Sequence, residues 1–203
     1  MTICTLSNLS RRAFLGATVG GAALAASPVL ALTNAQAKTL VNRLVGEINS
    51  VISSGRSESA MIHDFEGIFA RYGDVPAIAR SALGPTARSL SSSQLNSYTS
   101  AFQGYISRKY GKRFREFIGG RIEVNNAKQA GRFYEVSTTA FLRGESPFEV
   151  TFVVSDRTGQ DRFVNMLIEG VNMLATERVE VTALLDRNQG NVSGLINDLK
   201  RLG

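Results

Sequence analysis

The sequence predicts an α+β fold in which a curved antiparallel sheet of four strands carries helices on one face. Between residues 39 and 118, apolar side chains recur at helical spacing. From about 121 to 168 they alternate with polar ones, and short turns separate the runs. After Gly170 the period returns to that of a helix. Helices, then a meander of strands, then helices again is the order typical of an α+β domain.

Residues 1–37 are predicted to be a cleaved export signal, and residues 38–203 a single domain. Ser10–Leu15 reads SRRAFL, a twin-arginine pattern, and an apolar run rich in small residues follows it. Ala35-Gln36-Ala37 then offers an A-x-A cleavage site. A membrane anchor is the competing interpretation, but the glycines of the run, Pro28 and the small-residue site favour cleavage.

The charge and the cysteine content limit the partners and the compartment. The net charge of +6 permits nucleic acid, an anionic membrane surface or acidic ligands as partners. Loss of the leader removes Arg11 and Arg12 and no acidic residue, which lowers the charge from +6 to +4. It also removes Cys4, the only cysteine, so the mature domain has no thiol and suits an oxidising compartment. Export to the periplasm makes nucleic acid an unexpected partner.

Apolar stripes and capping residues in the sequence predict the helical segments. Residues 39–52 and 58–72 are predicted amphipathic helices, and Asp74 is expected to cap a short helix that starts at Val75-Pro76. Ser91 with Gln94 has the spacing of a capping box and is expected to start the longest helix, which runs to about residue 118. The inward stripe of that helix comprises Leu95, Tyr98, Phe102, Tyr105, Ile106 and Tyr110.

Four strands are predicted at 121–124, 132–143, 148–154 and 162–168. The connections are short turns, so the strands form an antiparallel meander. In the last strand, Val164, Met166 and Ile168 alternate with Phe163, Asn165 and Leu167. Two helices, 171–186 and 192–202, complete the chain.

The titratable residues do not form a motif for catalysis or metal binding. The sole histidine, His63, is expected to be structural or on the surface, since one histidine without cysteines cannot build a multi-histidine metal site. The acidic pairs Asp156/Asp161 and Glu177/Glu180 are expected to be solvated. No phosphate-binding loop or nucleophile elbow occurs.

A basic cluster lies at the end of the longest predicted helix and allows two interpretations. It could complement the C-terminus of that helix, or it could attract phosphate headgroups or an anionic membrane protein. The cluster comprises Arg108, Lys109, Lys112, Arg113 and Arg115.

Several segments, in order, resemble one family. They read RYGD at 71–74, IARSALG at 78–84, IEGVNM at 168–173 and GNVSGLINDL at 190–199, with the aromatic helix between the second and third. In this order and spacing the chain resembles the MlaC family of periplasmic phospholipid carriers.

The resemblance implies a cystatin- or NTF2-like curved sheet whose concavity takes acyl chains. It implies a shuttle for phospholipid between the outer and inner membranes, with no cofactor other than bound lipid. The implied partners are an outer-membrane lipoprotein complex and an inner-membrane ABC transporter with a lipid-transfer domain. The lipid-binding residues expected from it are Tyr98, Phe102, Tyr105, Ile106, Tyr110, Tyr134, Val136, Thr138, Phe152, Val154, Met166, Ile168 and Met173.

Two other functions remain open from the residues alone. One is a small-molecule enzyme, an isomerase or dehydratase on an NTF2-like fold, and the other is a protein-interaction module. A carrier needs a large dry cavity without titrating residues. An enzyme would show a buried carboxylate or tyrosine pair, and an interaction module would have a filled core. Transport direction, lipid identity, the number of acyl chains and the oligomeric state do not follow from the sequence.

Overall fold

The computed structural model describes residues 32–203, without the side chains of Phe114 and Arg115. The twin-arginine pattern and the apolar run to residue 31 lie outside the described residues. The helices are α1 Asn34–Ile52, α2 Glu58–Tyr72, α3 Val75–Leu83, α4 Ser92–Gly111, α5 Met173–Arg187 and α6 Val192–Arg201. Short 3-10 helices, Gly84–Arg88 and Lys112–Arg115, follow α3 and α4. The strands are β1 Arg121–Ala130, β2 Phe133–Phe141, β3 Phe148–Ser155, β4 Arg162–Ile168 and β5 Val171–Asn172.

The sheet has five antiparallel strands in the order β1-β2-β3-β4-β5, so the prediction of four strands is wrong by one. The additional strand is two residues long and pairs Val171 with Ile168. Between the paired strands lie Glu169 and Gly170, both with positive φ, 47° and 79°. Two residues of positive φ close a tight hairpin whose twist suits the flanking strands. Gly170 therefore reverses the chain instead of ending the sheet.

A bulge in β4 changes which side chains share a face. Asn165 lies opposite Val153, but the next pair joins Phe163 to Val154, which leaves Val164 as an extra residue. The extra residue places Phe163 on the same face as Met166, where strict alternation would place Val164. The expected alternation in this strand is therefore wrong at its first residues.

The longest helix is shorter than predicted. α4 starts with the expected capping box: Gln94 N donates to Ser91 Oγ over 3.2 Å, and Ser91 N donates to Gln94 Oε1 over 3.0 Å. The α-helix ends at Gly111, seven residues before Ile118. A side chain at Gly111 would lie 2.7 Å from an Ile62 carbon, so the missing side chain lets α2 and α4 approach closely. Between Gly111 and β1, the segment contacts β3 through the ring of Phe117, which packs edge-on against Phe148.

Two apolar clusters form the core. In one, α1 and α2 pack against the sheet, with α1 contacting β1 and β2. In the other, α3, α4, α5 and α6 pack together, and α3 and α5 contact β4. Phe163 packs against both clusters. Different helices therefore cover the two parts of the sheet: α1 lies over β1 and β2, whereas α3 and α5 lie against β4.

Candidate functional site: an apolar cavity

An apolar cavity of about 410 Å³ lies between β3–β4 and the helices α1, α2, α4 and α5. Its volume is within the roughly 300–1,000 Å³ typical of small-molecule sites. The wall is mostly aliphatic and aromatic. Its apolar residues include Ile68, Phe69, Phe102, Ile106, Phe117, Phe148, Val150, Phe152, Phe163, Met166, Ile168 and Met173.

Cross-strand register determines which sheet residues can reach the cavity. Val136, Phe152 and Met166 are directly opposite one another across β2, β3 and β4, and so share one face. Thr138, Val150 and Ile168 form the next row. In both rows only the β3 and β4 members line the cavity, because α1 packs over the β1–β2 part of the face.

The structure places seven of the expected lipid-binding residues on the cavity wall: Phe102, Ile106, Tyr110, Phe152, Met166, Ile168 and Met173. Tyr98 and Tyr105 pack instead in the helical cluster with α3, α5 and α6. Tyr134, Val136 and Val154 belong to the cluster under α1. Thr138 is fully buried and donates its hydroxyl to the Val150 carbonyl over 2.7 Å.

Several wall residues are absent from the sequence-based set. Phe163 lines the cavity only because of the bulge at Val164, which has no signal in a single sequence. Phe65, Ile68 and Phe69 come from α2, whose stripe is visible in the sequence but reads as ordinary core. A stripe alone does not distinguish a wall from a filled core.

One side of the wall carries a buried polar network. Glu177, 3% exposed, accepts hydrogen bonds from Lys109 Nζ over 2.8 Å and from Tyr110 Oη over 2.5 Å. Lys109 also contacts Glu180 over 2.7 Å, and Tyr105 Oη donates to Glu180 over 2.6 Å. Two carboxylates therefore share one ammonium and two phenols. The expectation that Glu177 and Glu180 are solvated is wrong for Glu177.

The phenols of this network are donors, not bases. Burial, together with the hydrogen bonds to Glu177 and Glu180, raises the pKa of Tyr110 and of Tyr105 far above the usual tyrosine range. Burial, with the nearby charge of Glu177, does the same to the pKa of Tyr98. The Tyr98 hydroxyl and Glu177 Oε2 are both buried and have no hydrogen-bond partner among the described residues.

Most of the basic cluster has a structural role. Arg108 donates to the carbonyl oxygens of Leu199 and Leu202 over 2.6–3.0 Å, and Lys112 Nζ donates to Gly203 O over 2.6 Å. These side chains complement a helix C-terminus, but that of α6 rather than of their own helix. Arg113 alone among the described members lines the cavity, where it is exposed.

The described residues show no metal site and no membrane-crossing helix. His63 is exposed on α2, as expected for a surface histidine. From residue 32 onwards, no group of three histidine, cysteine or acidic side chains could hold a metal ion. None of the described helices combines the length and apolarity needed to span a bilayer.

The fold and cavity define a class: an antiparallel sheet covered by helices, with a largely apolar cavity between them. The chain belongs to the MlaC family, whose family model, described as MlaC protein, matches residues 38–201. A solved structure of similar fold is the phospholipid-binding protein from Ralstonia solanacearum in complex with a phospholipid, at 16% identity and a TM-score of 0.70. That match covers 81% of this chain and 95% of the other. A comparison with curated proteins finds no match.

Proposed function

We propose that this protein is a periplasmic phospholipid carrier that shuttles lipid between the outer and inner membranes. The observation that carries the proposal is the apolar cavity bounded by Phe152, Met166 and Phe102, in a chain of the MlaC family. The structural relative with a bound phospholipid supports the same ligand. Acyl chains would lie between the β3–β4 face and the helices.

The physical chemistry of acyl burial suits such a carrier. Each buried methylene gains about 0.8 kcal/mol on leaving water, so two acyl chains gain on the order of 20 kcal/mol. A bilayer provides a similar gain, and transfer between the two environments is therefore close to balanced. The carrier needs no energy source of its own, and its partners set the direction. In line with the family, we assign as partners an inner-membrane ABC transporter complex and an outer-membrane lipoprotein complex.

Solvent extraction and mass spectrometry of the purified protein test the proposal. We expect phospholipid to co-purify, and labelled phospholipid to move from vesicles to delipidated protein. Lipid-free protein that takes up no label from vesicles would contradict the carrier function. Native mass spectrometry would give the lipid stoichiometry in the same experiment.

Glu177 supports a second candidate, a small-molecule enzyme of the isomerase or dehydratase type. A buried carboxylate on the wall of a cavity is what such chemistry requires, since a base must reach a proton of the substrate. Of the two carboxylate oxygens of Glu177, Oε2 has no hydrogen-bond partner among the described residues. Its other oxygen is bound by Lys109 and Tyr110, which makes Glu177 part of a structural network. Glu177→Gln should leave lipid uptake intact if the protein is a carrier.

The route of export is part of the proposal. The twin-arginine pattern at Arg11-Arg12 favours export of the folded protein by that pathway. Replacing both arginines with lysine should retain the protein in the cytoplasm, as measured by cell fractionation. Normal periplasmic yield of that variant would instead indicate the general secretory pathway.

A further inference from the structure

Among the side chains that the structure describes, four on the cavity wall are both charged and exposed, and we call them the mouth: Arg113, Glu116, Glu145 and Glu169. Three are carboxylates and one is a guanidinium. Among the side chains that the structure describes, none of the four forms an ion pair. The mouth is therefore net acidic and unpaired, although the whole chain is basic.

Separate segments bring these charges together. Arg113 and Glu116 lie in the segment that follows α4, Glu145 in the β2–β3 turn, and Glu169 in the β4–β5 hairpin turn. Glu169 has a φ of 47°, a backbone conformation that favours glycine or asparagine. The nearby guanidinium of Arg143 lies against Gly119 and does not line the cavity.

We propose that the mouth selects phospholipids whose headgroup carries an ammonium group over phospholipids with an anionic headgroup. Arg113 would pair with the phosphate of either lipid. The three carboxylates would attract the ammonium group of a zwitterionic lipid. They would repel an anionic headgroup, which has no positive charge to offset the repulsion. The inference rests on the carrier function proposed above and names the headgroup class that the carrier takes.

The expected selectivity is modest, because ion pairs between exposed groups are weak. Summed over the mouth, we expect about a three- to tenfold preference at low salt. Added salt should reduce the preference, because exposed charges are screened over about 10 Å at 0.1 M ionic strength.

The experiment offers delipidated protein vesicles with equal amounts of phosphatidylethanolamine and phosphatidylglycerol of matched acyl chains. Bound lipid is extracted and counted by mass spectrometry. The wild type should enrich phosphatidylethanolamine. The triple variant Glu116→Gln, Glu145→Gln, Glu169→Gln should bind the two lipids in the ratio of the vesicles.

A matched control separates the mouth from net charge. Glu123, Asp161 and Asp186 are exposed and do not line the cavity, so Glu123→Gln, Asp161→Asn, Asp186→Asn makes the same change in charge elsewhere. The control should keep the preference of the wild type. A wild type without preference, or a triple mouth variant that retains it, would overturn the inference. Absence of bound lipid in every protein would instead overturn the carrier function itself.

A second and independent observation concerns the start of the folded chain. Leu32 is 2% exposed within the α1–sheet cluster, and its backbone N–H donates to Asp156 Oδ2 over 3.0 Å. Thr33 caps α1 in a capping box with Gln36, and Ala37 is fully buried. Residues 32–37 are therefore built into the fold, whereas the A-x-A pattern alone places them in the leader.

We infer that the leader is cleaved after Ala31, so that the mature chain begins at Leu32. Val29-Leu30-Ala31 also fits a signal-peptide cleavage site, because the residues three before and one before the cleaved bond are Val29 and Ala31, which are small or apolar. The new amino group of Leu32 would be largely protonated at neutral pH and would face the Asp156 carboxylate. Cleavage after Ala37 would instead remove Thr33 and Gln36, and with them the capping box that starts α1.

N-terminal sequencing of the periplasmic protein tests this inference. Leu32 is the expected first residue, and Lys38 would overturn it. Ala31→Glu and Ala35→Glu form a matched pair, since each spoils one of the two cleavage sites and Ala35 is exposed on α1. Ala31→Glu should accumulate as precursor, and Ala35→Glu should be processed as the wild type. Processing of both variants at the wild-type position would also contradict cleavage after Ala31.

Discussion

Val136 and Met166 flank Phe152 in one cross-strand row, yet only Met166 lines the cavity. Val136 is fully buried beneath α1, where apolar side chains fill the space. The sequence predicts the same outcome for a bulky residue at either position, namely displaced lipid and a stable fold. The structure separates the two positions.

Met166→Trp should lower the lipid content and leave the fold stable, because the indole would occupy space that acyl chains otherwise take. Val136→Trp should do the reverse. Overpacking a filled core costs about 1–3 kcal/mol or more, while the cavity stays open. Melting temperature and bound lipid per folded protein would be measured on the same samples. Equal loss of lipid in both variants would show that the cavity reaches Val136 as well.

Local sequence signals predict much of the fold, and the features that they miss have identifiable physical causes. The bounds of α2 and the cap of α4 follow from apolar spacing and from Ser91 with Gln94. The bulge at Val164 depends on the pairing with β3, which local periodicity does not contain. β5 is two residues long, too short to show any period.

The candidate site is predictable only in part, for a similar reason. Residues on the β3–β4 face are recognisable as one set from their alternation. Whether such a residue packs against a helix or lines the cavity depends on the position of α1. Contacts between segments far apart in the sequence determine that position. The acidic mouth comes from three separate segments, so no contiguous motif predicts it.

Alkaline pH should unfold the protein as its buried tyrosines ionise. The pKa of Tyr98, Tyr105 and Tyr110 is raised, chiefly by burial, above the ordinary value of 10.0. Above that pH the unfolded chain loses these protons and the folded chain keeps them, so the free energy of unfolding falls as pH rises. The chain has five tyrosines and no tryptophan, which makes tyrosinate absorbance easy to follow.

Tyrosinate absorbance and circular dichroism, recorded together, check this prediction. Three of the five tyrosines should ionise only as helical signal is lost. Tyr98→Phe should remove one of these late-titrating groups at little cost in stability, because the Tyr98 hydroxyl has no partner among the described residues. Ionisation of all five in a fully helical protein would contradict the assignment.

Acid should weaken the contact between α4 and α5. Burial opposes ionisation of Glu180, but hydrogen bonds from Lys109 and Tyr105 outweigh it and hold the pKa of its carboxyl below the ordinary value of 4.5. A group whose pKa is lower in the folded state stabilises the fold above its unfolded pKa. This stabilisation is lost as the pH falls from 4.5 through the folded pKa.

Denaturant unfolding at a series of pH values from about 5 to about 3 measures this loss. Glu180→Gln should be less stable than the wild type at neutral pH and should lose less stability on acidification. Glu116→Gln makes the same change in net charge at an exposed position and serves as the control. An unchanged acid dependence in Glu180→Gln would show that the Lys109–Tyr105–Glu180 contacts do not contribute.

The pair Lys109–Glu177 should be a structural element of the cavity wall rather than a part of a catalytic site. The Glu177 side chain is 5% exposed and that of Lys109 is 26% exposed, and their charged atoms are 2.8 Å apart. Removing one partner of a buried ion pair leaves an uncompensated charge and costs about 3–5 kcal/mol. Lys109→Met should therefore destabilise the fold strongly, towards the lower end of that range because the lysine is partly exposed.

Replacing both partners should restore much of the stability. In Lys109→Met, Glu177→Leu no charge remains buried, and such apolar replacements are often neutral in cost or better. The Tyr110 hydroxyl would lose its acceptor in this double variant, so the recovery should be incomplete. Chemical unfolding of the wild type, both single variants and the double variant gives the coupling free energy between the two side chains. Lipid uptake by the folded double variant should match that of the wild type, because acyl chains need the apolar wall and not the carboxylate. A double variant that folds but takes up no lipid would place Glu177 in the binding site itself.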